Sequence, residues 1–185
     1  MSIFLTSLRI FAWMTLLTGI IYPLFVTMIA QVAMKQKADG EFITLNGKIV
    51  GAKLIAQKFE NNIYFQGRPS AIDYNPLSSG GSNLGPTSAK LKKIVDERRQ
   101  NIAKSNNVEM NKVPSELLFA SGSGLDPHIS VETAYFQMER VAKARGLAST
   151  DLKRIIDQTV YKRYFGFIGE PCVNILLLNN QLDSE

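Results

Sequence analysis

The sequence predicts an α+β protein, with a single N-terminal transmembrane helix followed by one mixed α/β soluble domain. Three observations carry this. No charged residue occurs between Arg9 and Lys35. Phe42-Ile43-Thr44-Leu45, Asn46-Gly47 and Lys48-Ile49-Val50 form a hairpin signal, because Asn-Gly accepts the positive φ of a type I′ turn. Downstream, capped segments of helical period alternate with short apolar runs, a pattern of helices packed on a small sheet.

Ile10 to Met34 would make a helix about 37 Å long at 1.5 Å per residue, enough to cross a ~30 Å hydrocarbon core with some tilt. A cleaved signal, whose apolar stretch runs about 7 to 15 residues, fits worse, and Met28-Ile29-Ala30-Gln31-Val32-Ala33 is a poor cleavage site. Residues 1–9 are therefore read as a tail, 10–34 as the transmembrane helix in a lipid bilayer and 35–185 as one soluble domain. Thr15, Thr18, Gly19 and Tyr22 fall at i, i+3, i+4 and i+7, so a small or polar stripe continues to Val26 and offers a contact face to another membrane helix. The competing expectation is that the threonines bond their own helix backbone. Pro23 frees a carbonyl one turn earlier and should soften the helix near Gly19. Lys35, Lys37, Lys48 and Lys53 against Arg9 would hold the domain in the cytoplasm, but that charge rule governs short loops rather than whole domains.

Tyr64 to Pro86 is a long stretch rich in Gly, Ser, Asn and Pro, and irregular segments of that length within a compact domain tend to be functional. Thr87 or Ser88 should cap a helix through about Lys104, with Leu91, Ile94, Val95, Arg98 and Ile102 on its buried side. Lys104 to Lys112 is polar and is read as a connection, and Leu117 to Ala120 as a short buried strand. Ser130 should cap a helix carrying Val131, Ala134, Tyr135, Met138, Val141 and Ala142 inward and ending at Arg145-Gly146. Ser149 or Thr150 should cap another, with Leu152, Ile155 and Ile156 inward, ending around Tyr164. The apolar run from Cys172 to Leu178 reads as a strand in the centre of the sheet.

The formal charge of +5 does not make a nucleic-acid binder, because Lys and Arg are interspersed with acids and no aromatic-flanked basic patch occurs. A lone Cys172 excludes a disulfide framework and a cysteine-based metal site. Gly80, Gly85 and Thr87 match the phosphate-loop pattern, but Pro86 stands where its lysine belongs and brings neither charge nor N–H. Ser121 to Pro127 fails the dinucleotide pattern, because Pro127 replaces the third glycine. Ser123, Asp126 and His128 lie within six residues, whereas triad members converge from separate segments. One histidine with scattered carboxylates gives no metal-ligand spacing. Gly80, Gly81, Gly122 and Gly124 are thus expected to shape tight turns that present Ser82, Asn83, Ser123, Asp126 and His128 to a partner. The rival expectation is an anchored extracytoplasmic enzyme acting alone.

Ser79-Gly80-Gly81-Ser82-Asn83-Leu84-Gly85-Pro86-Thr87, Ala120 to Ser130 and Gly169-Glu170-Pro171 followed by Val173-Asn174 resemble the hallmarks of the KdpC family, the C subunits of bacterial Kdp potassium-transporting P-type ATPases. Leu17-Thr18-Gly19 with Tyr22-Pro23, Gly67-Arg68-Pro69-Ser70-Ala71, and Arg140-Val141-Ala142 with Ala144-Arg145-Gly146 match as well, from about Leu16 to Leu182. The family usually has proline at Glu139, arginine at Cys172 and a Glu-Gly pair near Val160-Tyr161, so local shape there is open. The resemblance implies a single-span inner-membrane subunit beside an A subunit that conducts potassium, a B subunit that hydrolyses ATP and a small F subunit. Two expectations follow from it and conflict. In one, the chain raises the B subunit's affinity for cytoplasmic ATP, its S-G-G-S resembling an ABC signature. In the other, the soluble domain is extracytoplasmic, over the potassium entrance. The missing phosphate-loop lysine favours the second, and no cofactor is expected on this chain itself.

Overall fold

A computed structural model describes residues 2–45 and 47–184. The chain divides into two compact units, Met1–Phe42 and Ile43–Glu185. Asn46 of the Asn-Gly signal lies outside the described residues, while Gly47 takes φ +76°.

The first unit is helical. Helix α1 (Ile3–Leu16), a π-helical turn (Leu17–Ile21) and helix α2 (Tyr22–Ala33) form one continuous helical run of 31 residues. That is about 46 Å of helix, long and apolar enough to cross a membrane. The helix starts at Ile3, ahead of Ile10, because nothing at Arg9 breaks the helical backbone. The π turn is where Pro23 was expected to act. Proline cannot donate to the carbonyl of Gly19 and its ring crowds it. The helix widens by one residue instead, and the Tyr22 N–H reaches back five positions to the Leu17 carbonyl. After Met34, at φ −143° and ψ 45°, a short helix α3 spans Lys35–Ala38.

The second unit opens on strand β1 (Phe42–Leu45), whose first residue closes the first unit; β1 and β2 (Lys48–Ala52) pair as a two-stranded sheet. Helix α4 (Ala89–Asn106) starts where Ser88 Oγ accepts the Leu91 N–H at 3.3 Å, and it stops at Asn107 in the left-handed region. Asparagine tolerates that conformation, so the helix runs slightly past Lys104. Leu117 and Leu118 are buried as expected but form no strand. Pro114 opens a 3₁₀ turn (Ser115–Leu117), and the Leu118 and Phe119 N–H groups bond locally to the Ser115 carbonyl.

Strand β3 (His128–Ser130) leads directly into helix α5 (Val131–Arg145), capped by Ser130 Oγ accepting from Thr133 N–H at 3.1 Å and closed by Gly146 at φ +69°. Helix α6 (Ser149–Thr159) has Ala148 at its N-cap, so Ser149 is its first turn and no side chain caps it. It ends five residues before Tyr164, because Thr159 Oγ1 turns back to the Ile155 and Ile156 carbonyls and Val160 becomes extended. Strand β4 (Val160–Tyr161) follows.

Strand β5 (Cys172–Asn174) is central in a sheet of order β3-β5-β4, antiparallel to both neighbours, with Ile129 and Val160 opposite Val173. The apolar run does not continue as strand. Asn174 Oδ1 accepts the Leu177 N–H at 3.1 Å and starts helix α7 (Ile175–Leu182). Phe65, Ile129, Val141, Leu152, Ile155, Ile156, Val173 and Leu178 form the main core, all nearly or fully buried. A second cluster of Val95, Ala103, Val113 and Leu118 lies beneath α4.

Candidate functional site

The site grows from a segment without regular structure. Phe65 is fully buried, and its backbone N–H and carbonyl are both matched by the side-chain amide of Asn179, each at 2.9 Å. Gln137 does the same for Gln66, accepting at 2.8 Å and donating at 2.9 Å. Arg140 completes the clamp. Its five N–H donors reach Asn106 Oδ1, the carbonyls of Asn62 and Tyr64, and Gln137 Oε1. Burial lowers its pKa to about 10, yet a guanidinium whose donors are all matched remains charged at neutral pH. Side chains from α5 and α7 thus supply what a neighbouring strand would have supplied.

This clamp delivers Gly67 to Ser70 to the glycine-rich loops. Arg68 Nη1 donates to Asp126 Oδ2 at 3.2 Å, and Ser121 N–H donates to the Pro69 carbonyl at 3.2 Å. Ser70 Oγ accepts the N–H groups of Ile72 and Tyr74, while the Tyr74 hydroxyl donates to the Arg68 carbonyl at 2.8 Å. The two loops lock onto each other. Gly80 N–H and Ser79 Oγ–H both reach the Ser123 carbonyl, at 2.9 and 3.1 Å. A Cβ on Gly81 would lie 3.2 Å from the Gly122 carbonyl oxygen. Gly124 takes φ +70°, and a Cβ there would meet Ile72 Cγ1 at 2.6 Å and the Gly80 oxygen at 2.9 Å. A side chain is excluded at Gly124 and crowded at Gly81.

Of the residues singled out from sequence, the structure brings Gly80, Gly81 and Ser123 together, sets Asp126 against Arg68 and His128, and leaves Ser82 and Asn83 exposed at the rim. Asn83 takes φ +52°. Asp126 Oδ1 accepts the His128 backbone N–H at 3.0 Å and lies 3.5 Å from His128 Nδ1. The His128 ring, the His128 N–H and Arg68 hold the Asp126 carboxyl below its ordinary value against the opposing effect of burial. His128 stands edge-on to Tyr161 at 6.1 Å between ring centres. Burial, reinforced by the Asp126 charge, pushes the Cys172 thiol up. Ser123 Oγ accepts the Leu125 N–H at 3.1 Å, which ties the hydroxyl into its own turn. Among the described residues, no group of three His, Cys, Asp or Glu is placed to hold a metal ion.

Beside the rim lies a cavity of about 270 Å³ lined by Ser70, Ser82, Leu84, Leu91, Ile94 and Arg98. Arg98, which donates to the Leu118 carbonyl at 2.9 Å, also borders a second cavity of about 420 Å³ with Lys58, Asp73 and Tyr74. Sequence reasoning missed Arg68, Ser70, Gln137, Arg140 and Asn179. Arg68, Ser70 and Arg140 do fall in motifs that carry the resemblance, but nothing in the pattern marks Gln137 or Asn179 as buried.

In the N-terminal helix, Thr15 and Gly19 stay on one face, a Cβ on Gly19 lying 3.9 Å from Thr15 Cγ2. Thr18 Oγ1 donates to the Met14 carbonyl at 2.6 Å, so that hydroxyl serves its own helix. The π turn adds a residue between Thr15 and Tyr22 and turns Tyr22 away from the ideal i+7 alignment.

A family model described as "KdpC: K+-transporting ATPase, c chain" matches residues 4–184. The chain is 45% identical to a protein named potassium-transporting ATPase KdpC subunit from Leptospira interrogans, over 100% of this chain and 95% of the relative. It is 42% identical to a protein of that name from Yersinia pseudotuberculosis, over 100% and 94%. For another from Paraburkholderia phytofirmans the identity is 45%, over 98% and 96%. These matches agree with the resemblance carried by the glycine-rich hallmarks.

Proposed function

The chain belongs to the KdpC family of K+-transporting ATPase c chains, and on that premise we propose that it is the accessory, non-catalytic subunit of an ATP-driven potassium uptake complex. Its helix anchors it in the bacterial inner membrane beside the potassium-conducting A subunit, the ATP-hydrolysing B subunit and the small F subunit. Thr15 and Gly19 mark the anchor's contact face, with the Thr18 hydroxyl bonded to its own helix and Tyr22 rotated off the stripe, and the glycine-loop rim is the domain's docking face.

One observation carries the docking role. A loop that cradles phosphate points free backbone N–H groups at its ligand. Here the N–H groups of Gly80, Gly124 and Leu125 are spent on Ser123 O, Ser121 O and Ser123 Oγ. Pro86 has none to give. Interlocked in this way, the loops form a firm ledge with Ser82 and Asn83 outward and a partly apolar cavity alongside, which suits a partner's side chain better than a nucleotide. The same feature favours an extracytoplasmic domain acting on potassium access and complex stability over a direct effect on ATP affinity.

Co-purification of the detergent-solubilised complex tests this. Gly19→Leu in the anchor and Ser82→Arg on the rim should each strip the chain from its partners while its own thermal unfolding stays unchanged, since both positions are exposed in the isolated chain. Full recovery of the complex with both variants would defeat the docking assignment, and substrate turnover by the chain alone would favour the solitary enzyme. Protease added to intact spheroplasts should digest the domain; protection would restore the ATP-affinity role.

A further inference from the structure

Beyond β4 the chain makes a narrow thumb closed by a Tyr164–Ile168 bridge. At its tip Tyr164, Phe165, Phe167 and Ile168 are 76%, 87%, 73% and 50% exposed, a density of outward aromatic surface found nowhere else among the described residues of the second unit. The conformation is not relaxed coil. Phe165 takes φ +52° and is followed by Gly166 at +81°, while Gly169 at +83° closes the base. A left-handed phenylalanine costs on the order of 1 kcal/mol or more, which the local bonds Tyr164 N–H to Ile168 O at 2.9 Å and Ile168 N–H to Tyr164 O at 3.0 Å help to offset. None of this serves the core, so the aromatic side chains are held outward for something outside the chain.

We propose that this thumb is a second, interfacial membrane contact, inserting its aromatic tip among the headgroups of anionic lipid. Three observations choose lipid as the occupant. Exposed Lys162 and Arg163 stand at the base against one carboxylate, Glu170, so the thumb carries the aromatic-plus-basic composition that seats side chains at a bilayer surface. Only residues 34–41 separate the end of α2 from β1, a tether of at most about 28 Å. Lys53, just after β2, sits over the ring of Tyr161 at 5.6 Å, so the thumb springs from the strand that the incoming chain itself contacts. The proposal rests on the anchor being in a bilayer, and it adds a function to a loop that the docking face does not use.

The test uses the full chain in vesicles of equal parts phosphatidylcholine and phosphatidylglycerol, with brominated acyl chains as quencher. Trp13, the single tryptophan, is removed by Trp13→Phe, and an indole is placed by Phe165→Trp or, as control, by Leu77→Trp at a residue outside the thumb that is 94% exposed. Flotation with the vesicles reports the anchor independently. We expect the Phe165→Trp protein to lose more than half of its emission to the bromines and to shift to the blue, and the Leu77→Trp protein to lose almost none. Lys162→Glu with Arg163→Glu should abolish that quenching without changing flotation. Equal quenching at both probes, no quenching at either in a chain that floats, or shielding of the Phe165→Trp indole from aqueous iodide only when the other subunits are present would each overturn the lipid assignment; the last would give the thumb a protein partner.

Discussion

Residues 62–66 and the paired glycine loops both lack regular secondary structure, and they are fixed in opposite ways. The first is held by what neighbouring side chains add. Asn179, Gln137 and Arg140 supply amide and guanidinium groups that imitate a missing strand. The second is held by what is left out. Gly81 and Gly124 let two loops approach so closely that a Cβ would be crowded at the first and excluded at the second. Irregular chain can therefore be as well determined as a helix, but the substitutions that undo it differ in kind. The clamp should fail by truncation and the loops by addition.

The largest effect belongs to the clamp. Arg140→Ala removes five donors at once and leaves the Asn62 and Tyr64 carbonyls without their partners in a nearly closed site. A loss of about 3 to 5 kcal/mol is expected, seen as a fall in Tm of roughly 10 °C or more. Arg140→Lys should recover little, because a single ammonium cannot span both carbonyls and Gln137 Oε1. Thermal unfolding that moves by less than about 1 kcal/mol would show that Arg140 adds little to the hold of Asn179, Gln137 and buried Phe65, and would weaken the contrast between the regions.

The loops give the next effect. Gly124→Val places a branched side chain at φ +70° against Ile72 and the Gly80 carbonyl, and should cost about 2 to 3 kcal/mol. Gly122→Ala is the sharpening control. A Cβ there meets nothing within 4 Å, so stability should stay within about 0.5 kcal/mol. Urea titration of both variants separates the cases, and equal behaviour would mean that the loops are not interlocked.

The same contrast explains what the sequence disclosed. Features resting on local rules were legible. The Ser130 cap, the Gly146 stop, the inward Leu152, Ile155 and Ile156, the central position of β5 and the disturbance ahead of Pro23 each follow from residues within one or two turns. Short apolar runs were not. Leu117-Leu118 became a 3₁₀ turn and Ile175–Leu182 a helix, because over so few residues burial looks alike in any conformation and Pro114 and Asn174 decided the outcome. The clamp was invisible for a further reason. Gln137, Arg140 and Asn179 sit on ordinary helix positions, and their partners are 71 or more residues away in the cases of Gln137 and Asn179. The glycine loops were recognisable as a site, yet which backbone groups they spend on one another depends on two segments meeting in space.

At the seam between the regions stands Arg68–Asp126, and it gives the smallest and most condition-dependent effect. The two side chains are 31% and 32% exposed, so the pair itself is worth about 1 kcal/mol or less. Its signature is in pH. The His128 ring, the His128 N–H and Arg68 lower the Asp126 carboxyl in the folded chain below the ordinary value of 3.8. A depressed carboxylate stabilises fully above that ordinary value and loses its contribution as pH falls through the lower folded one. Asp126→Asn should therefore be less stable than the parent at pH 7, and the gap should close as the pH is taken from about 5 to below 3. Chemical denaturation across that range measures it. A gap that stays constant would mean that Asp126 acts only as a neutral hydrogen-bond acceptor for the His128 backbone, and that the charge of Arg68 contributes nothing to joining the clamped segment to the loops.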